Sequence, residues 1–158
     1  MSQENETRKH ILEVSKNITF IVKDLLHRAV HHDSSKLESP EKEIFEMYTP
    51  KLRGTTYGSE TYNKYLKEMK VALDHHYAIN RHHPEFWGPN AFEKMSLLDI
   101  VEMLCDWKAA TMRHADGDIR KSIEINQKRF GYSDELKQIL INTLPYLNVI
   151  VAHKEANE

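Results

Sequence analysis

Two short stretches hold most of the side chains able to do chemistry: HHDSSKL, residues 31–37, and DHHYAINRHHPE, residues 74–85. The first sets two imidazoles, a carboxylate and an ammonium within six residues, and the second holds four of the ten histidines of this 158-residue chain. Imidazole with carboxylate is a ligand set for a divalent transition metal such as Mn, Fe, Co, Ni or Zn, and no thiolate stands near to favour a closed structural zinc site. His32 shares the apolar face of the helical pattern Val14, Ile21 and Leu25, and Asp33 follows where that helix should stop. Adjacent residues reach one ion only if the backbone turns between them, and a helix end supplies the turn. Lys36, three residues on, can set a point charge against an anionic oxygen.

The second stretch ends a helical pattern running from Ser59 to His83. Its face carries Leu66, Met69 and Leu73, then continues at the same spacing into His76, Asn80 and His83, so a buried seam turns polar without changing face. His75 and His82 lie on the neighbouring stripe. These histidines are either ligands or satisfied core and helix-end imidazoles. Further along, Glu102, Asp106 and Arg113 share the edge of an apolar stripe, with Asp99 close by. Asp106 is expected to be partly buried, and a buried charge needs a partner. That partner is either a metal or Arg113, in an ion pair with Asp106 or Glu102.

Helices must position these groups. No strand-like alternation stands out, and the five glycines and five prolines fall almost entirely between periodic segments. The pattern predicts one long helix over about 7–32, a short helix from Pro40 with Ser39 as its cap, and an ordered loop over 49–58. The helix from Ser59 must end before Pro84. Another opens on a Ser96–Asp99 capping box, with the stripe Leu98, Val101, Cys105, Ala109 and Met112 toward the core. Two shorter helices follow, over about 118–130 with Gly131 as C-cap and from Ser133 to about 144. The expected fold class is all-α, a single compact domain of about five to seven helices with frayed ends at 1–7 and 152–158.

Composition narrows the partners. Twenty-two basic and 24 acidic residues give a net charge of −2, and no basic run marks a duplex nucleic-acid footprint. No apolar run is long enough to span a bilayer, and the N-terminus lacks a signal-peptide core, so a soluble, cytoplasmic protein is expected. Cys105, the lone cysteine, reads as a small core residue. The long N-terminal helix is suited to pairing two copies as a homodimer.

A helix-terminal His32-Asp33 pair, Lys36 three residues on and Asp106 on a later helix together resemble the HD-domain superfamily of metal-dependent phosphohydrolases. Related families often read HD-x-G-K where this chain has His32-Asp33-Ser34-Ser35-Lys36. HHYAINRHHPE and DIVEMLCDWKAA more closely resemble an uncharacterised family of small phage and bacterial proteins, over most of the chain. The HD resemblance implies one or two metal ions, with His76 and His82 or His83 filling the interval between the pair and Asp106. It also implies an early histidine ligand, for which His10 is the candidate by position. In one straight helix, however, His10 and His32 stand roughly 33 Å apart.

Three functions are compatible with these residues. The first is phosphoester hydrolysis on a nucleotide or another small phosphorylated molecule. Lys36 and Arg81 then neutralise phosphate oxygens, and His82 or Glu85 orients water or protonates the leaving oxygen. Arg81 is equally readable as a solvated helix residue, and Tyr57 as a base-stacking side chain or a loop anchor. The second is oxidation at a diiron form of the same site. The third is a non-catalytic helical module that sequesters a ligand or binds a host factor.

Overall fold

In a computed structural model of the chain, residues 3–56, 59–113 and 117–147 are described, and among them all regular structure is helical. Tyr57 and the C-terminal segment from 148 lie outside the described residues. Among the described residues nine α-helices and two 3-10 turns follow one another, more than the five to seven helices expected. The surplus comes from one helix that divides and from two four-residue helices in the region read as a loop.

Helix α1 (Gln3–His31) runs unbroken, starting within the segment expected to fray. A 3-10 turn (Ser34–Leu37) leads to α2 (Glu41–Arg53), which begins after Pro40 and passes through Pro50 to Gly54. Proline inside a helix removes one backbone bond. Here α2 packs on α4, and tertiary burial overrides the local signal for a stop at Thr49. The predicted 59–83 helix is two: α3 (Glu60–Glu68), capped by Ser59, and α4 (Lys70–Ile79), which meet at the buried Met69. Asn80 ends α4 with an extended backbone while its side-chain amide donates to the His76 carbonyl. His82 and His83 therefore sit on a turn, not on a helix.

Short helices α5 (Pro84–Trp87) and α6 (Ala91–Lys94) lead to α7 (Leu97–Thr111), which opens on the expected Ser96–Asp99 capping box. Helices α8 (Ile119–Phe130) and α9 (Asp134–Thr143) close the fold, with Gly131 in the left-handed conformation that lacks a Cβ penalty. The apolar core lies among α7, α8 and α9, where Met103, Leu104, Ile123 and Leu140 are each 2 % exposed or less. Burial of each such side chain contributes roughly 1.5–3 kcal/mol. This corrects the stripe expected on α7: Cys105, Ala109 and Met112 are exposed, while Met103, Leu104 and Trp107 face the core. No helix of the described residues is long and apolar enough to cross a membrane.

Candidate metal centre

The end of α1, the 3-10 turn, the start of α2, the end of α4, the His82-His83 turn and the middle of α7 meet at one point. Asp33 is the pivot. It takes the left-handed conformation, φ 55 and ψ 21, which costs a residue with a Cβ roughly 1 kcal/mol or more. That turn is what lets His32 and Asp33, neighbours in sequence, aim at one place.

The two Asp33 oxygens face two sets of donors. Oδ1 lies 3.2 Å from His76 Nε2 and 3.4 Å from His82 Nε2, and His76 Nε2 is 2.9 Å from His83 Nε2. On the other side, Oδ2 lies 3.3 Å from His32 Nε2, which is 3.7 Å from Asp106 Oδ1. Asp33, His76, His82 and His83 offer donor atoms all within 4.8 Å of one another, and so do His32, Asp33 and Asp106. Five of the six predicted metal ligands and His82 are thus brought together. His10 is not: α1 is continuous, His10 is exposed, and 22 residues at 1.5 Å separate it from His32 by about 33 Å.

Carboxylates stand behind the imidazoles and hold them in place. Glu102 Oε1 is 3.0 Å from His32 Nδ1 and 3.3 Å from His82 Nδ1. Glu41, fully buried, sets Oε2 2.8 Å from His76 Nδ1 and Oε1 2.7 Å from His75 Nδ1. A carboxylate there holds a ring proton on Nδ1 and turns Nε2 toward the centre. Ser35, where the related pattern has glycine, donates its hydroxyl to Glu41 and accepts from the Asn80 amide. Arg28 reaches Glu102 at 3.1 Å and Asp99 at 2.8 Å, so the bland partner proposed for Glu102, Arg113, is replaced by one from α1.

Charge in the cluster is strongly polarised. Hydrogen bonding to Asp106, Asp33 and Glu102 pushes His32 up to about 11. Burial lowers His82, but Asp33 and Glu102 outweigh it and raise it overall. Burial and the neighbouring His82 and His76 push His83 down to about 3, leaving it neutral. Burial opposes ionisation of Asp33, Glu102 and Asp106, yet their imidazole partners hold all three below the usual carboxylate range.

Of the catalytic candidates, Lys36 sits at the cluster, 2.5 Å from Asp33 Oδ2 with its ammonium over the Phe45 ring. Two others are engaged elsewhere. Arg81 stacks on Trp87 and reaches Asp99 at 3.4 Å, and Glu85 is held by Arg129 of α8 at 2.6 Å. Arg81 does line a groove of about 250 Å³ that also includes His27, Arg28, His31, His82 and Glu102. His27 is exposed and stacks on His31, as its outward face on α1 implies.

Fold and site together define an all-α protein built around a histidine–carboxylate cluster with the donor set of a divalent metal. The chain belongs to the Family of unknown function (DUF5662), whose model matches residues 1–146. No curated protein and no solved structure matches it.

Proposed function

We propose that the cluster is a divalent transition-metal centre, of one or two ions, at which the chain hydrolyses a small phosphorylated molecule such as a nucleotide. The observation that carries this reading is the pair Asp33 Oδ1 and His82 Nε2, buried side-chain atoms that face each other without a hydrogen-bond partner. Two buried polar atoms that face each other with no hydrogen bond are unfavourable, and an ion bound by both would offset that. Donors that share one ion at about 2.1 Å stand roughly 3.0–3.4 Å apart in octahedral to tetrahedral sets. The Asp33–His76, Asp33–His82 and Asp33–His32 separations, 3.2, 3.4 and 3.3 Å, fall in that range. Mn, Fe, Co, Ni and Zn all accept such a mixed nitrogen and oxygen set.

Asp33 faces both groups of donors, so it is the residue placed to serve two ions at once, with His76, His82 and His83 on one side and His32 and Asp106 on the other. When bound, an ion of this kind polarises a phosphoryl oxygen and acidifies water. Hydrolase chemistry is supported by the resemblance of His32-Asp33, Lys36 and Asp106 to the HD pattern. Lys36 stands at the partly open side of the cluster, where its ammonium neutralises a phosphate oxygen as negative charge grows there. In this reading His82 is a ligand, and Arg81 and Glu85 act through Asp99 and Arg129 on the scaffold.

The test is a screen of nucleotides and simple phosphomonoesters and phosphodiesters with protein loaded with Mn, Co or Ni. Turnover that is abolished by Asp33→Ala and reduced by Lys36→Ala is expected. Metal-loaded protein that hydrolyses none of these esters contradicts the hydrolase reading. Iron with oxygen-dependent substrate consumption selects oxidation instead.

A further inference from the structure

Among the described residues, helix α1 is tied to the rest of the fold through its last turns. Arg28 reaches Asp99 and Glu102, and His32 just beyond reaches Glu102 and Asp106. Every described side chain from Glu4 to Asp24 is exposed. Those 21 residues project about 30 Å at 1.5 Å each. A projecting helix should be polar all round, and this one is not: Ile11, Val14, Ile18 and Ile21 are 42–59 % exposed.

At about 100° per residue these four fall with Val22, Leu25 and Leu26 in one arc of roughly 140°. The same arc leads, at its far end, to His32, which lies against Glu102 and Asp106 of α7. The fold therefore covers the end of an apolar stripe and leaves the rest bare. Its spacing, 11, 14, 18, 21, 25, alternates three and four, which is the seam of one helix packed along another. The occupant is a helix of comparable length.

We infer that two copies of this chain pair antiparallel through the projecting part of α1, with Ile11, Val14, Ile18 and Ile21 of each copy in the shared seam. Self-pairing fits the layers: with the two-fold axis near Lys16, Ile11 meets Ile21 and Val14 meets Ile18 of the other copy. It fits the placement of the folded body as well, which sits at the last turns of α1. An antiparallel pair sets the two bodies at opposite ends, whereas a parallel pair crowds them side by side. It also fits the area. The exposed parts of the large apolar side chains in that arc sum to on the order of 500 Å² per copy, about the apolar part, roughly 60 %, of the roughly 800 Å² that one partner gives a standard interface. This inference does not rest on the proposed activity.

Sedimentation velocity of the full chain over a wide concentration range gives the first reading, and twice the 18.6 kDa chain mass is expected. Ile18→Glu/Ile21→Glu should return the mass to that of one chain while metal content stays unchanged. Orientation is read by oxidative cross-linking in a Cys105→Ser background, which needs no destabilising charge in the seam. Ser15→Cys, beside the two-fold axis, should link to itself, and Glu4→Cys should not. A monomeric wild type, a dimer that survives the double substitution, or self-linking of Glu4→Cys each overturns the proposal.

Discussion

Asp33 Oδ1 lies 3.4 Å from His82 Nε2, and neither atom has a hydrogen-bond partner. His82 is 2 % exposed, so water does not explain its free nitrogen. Two buried polar atoms left unpaired cost about 1–3 kcal/mol each, which a shared cation offsets. Asp33→Asn keeps the shape of the side chain and removes its charge. It should abolish tight metal binding while far-UV circular dichroism stays unchanged. A variant that binds metal as the wild type does would remove Asp33 from the centre.

Glu102 has a different role, since it contacts imidazoles and not the point where their Nε2 atoms converge. With His32 Nδ1 and His82 Nδ1 both within 3.3 Å of Oε1, Glu102→Gln loosens two rings at once. Metal affinity measured by competition with a chromophoric chelator should fall about 10–100-fold, with stoichiometry preserved. Loss of less than twofold would mean that the rings are oriented by packing alone.

Metal loading should release protons. Without metal His32 holds its proton to about 11, through Asp106, Asp33 and Glu102, so at neutral pH its Nε2 is occupied by hydrogen. Ligation needs that lone pair. Calorimetric titration in two buffers of different ionisation enthalpy should report at least one proton released per centre, and affinity should rise with pH. Heats independent of buffer would exclude His32 as a ligand.

Acid should weaken the joint between α1 and α7 through Asp99. Burial pushes its carboxyl up, but Arg28 and Ser96 more than offset this and hold it below its usual range. A depressed folded pKa adds stability that is present above the unfolded value of about 4 and is lost as pH falls through the folded one. Urea unfolding should show Asp99→Asn less stable than wild type by about 1–3 kcal/mol at pH 7. The gap should narrow toward pH 3. A gap constant with pH would mean that the carboxylate's charge does not matter there.

Much of the histidine–carboxylate cluster was legible because ligand chemistry and helix periodicity point the same way. The seam Leu73, His76, Asn80 marks an inward face, and HHDSSKL lies where a helix must end. Glu41 was not legible. In sequence it is an acidic first-turn residue like any other, and only the packing of α2 on α4 buries it against His75 and His76. Arg81 and Glu85 adjoin His82 and His83 in sequence, yet the turn before Pro84 sends their side chains to Asp99 and Arg129, a placement that sequence alone does not show. On α7 apolar residues occupy more than one face, so periodicity alone could not choose Met103, Leu104 and Trp107 over Cys105, Ala109 and Met112. The HD pattern suggested His10, but an unbroken helix keeps it away.

The central claim is that His32, Asp33 and the residues around them form a metal centre. Elemental analysis of untagged protein, purified without chelator and reconstituted with transition metals, tests it most directly. Wild type and His10→Ala should each hold one to two equivalents, and His32→Ala/Asp33→Ala should hold none. Metal-free wild type after reconstitution, or metal retained by the double variant, would contradict the account.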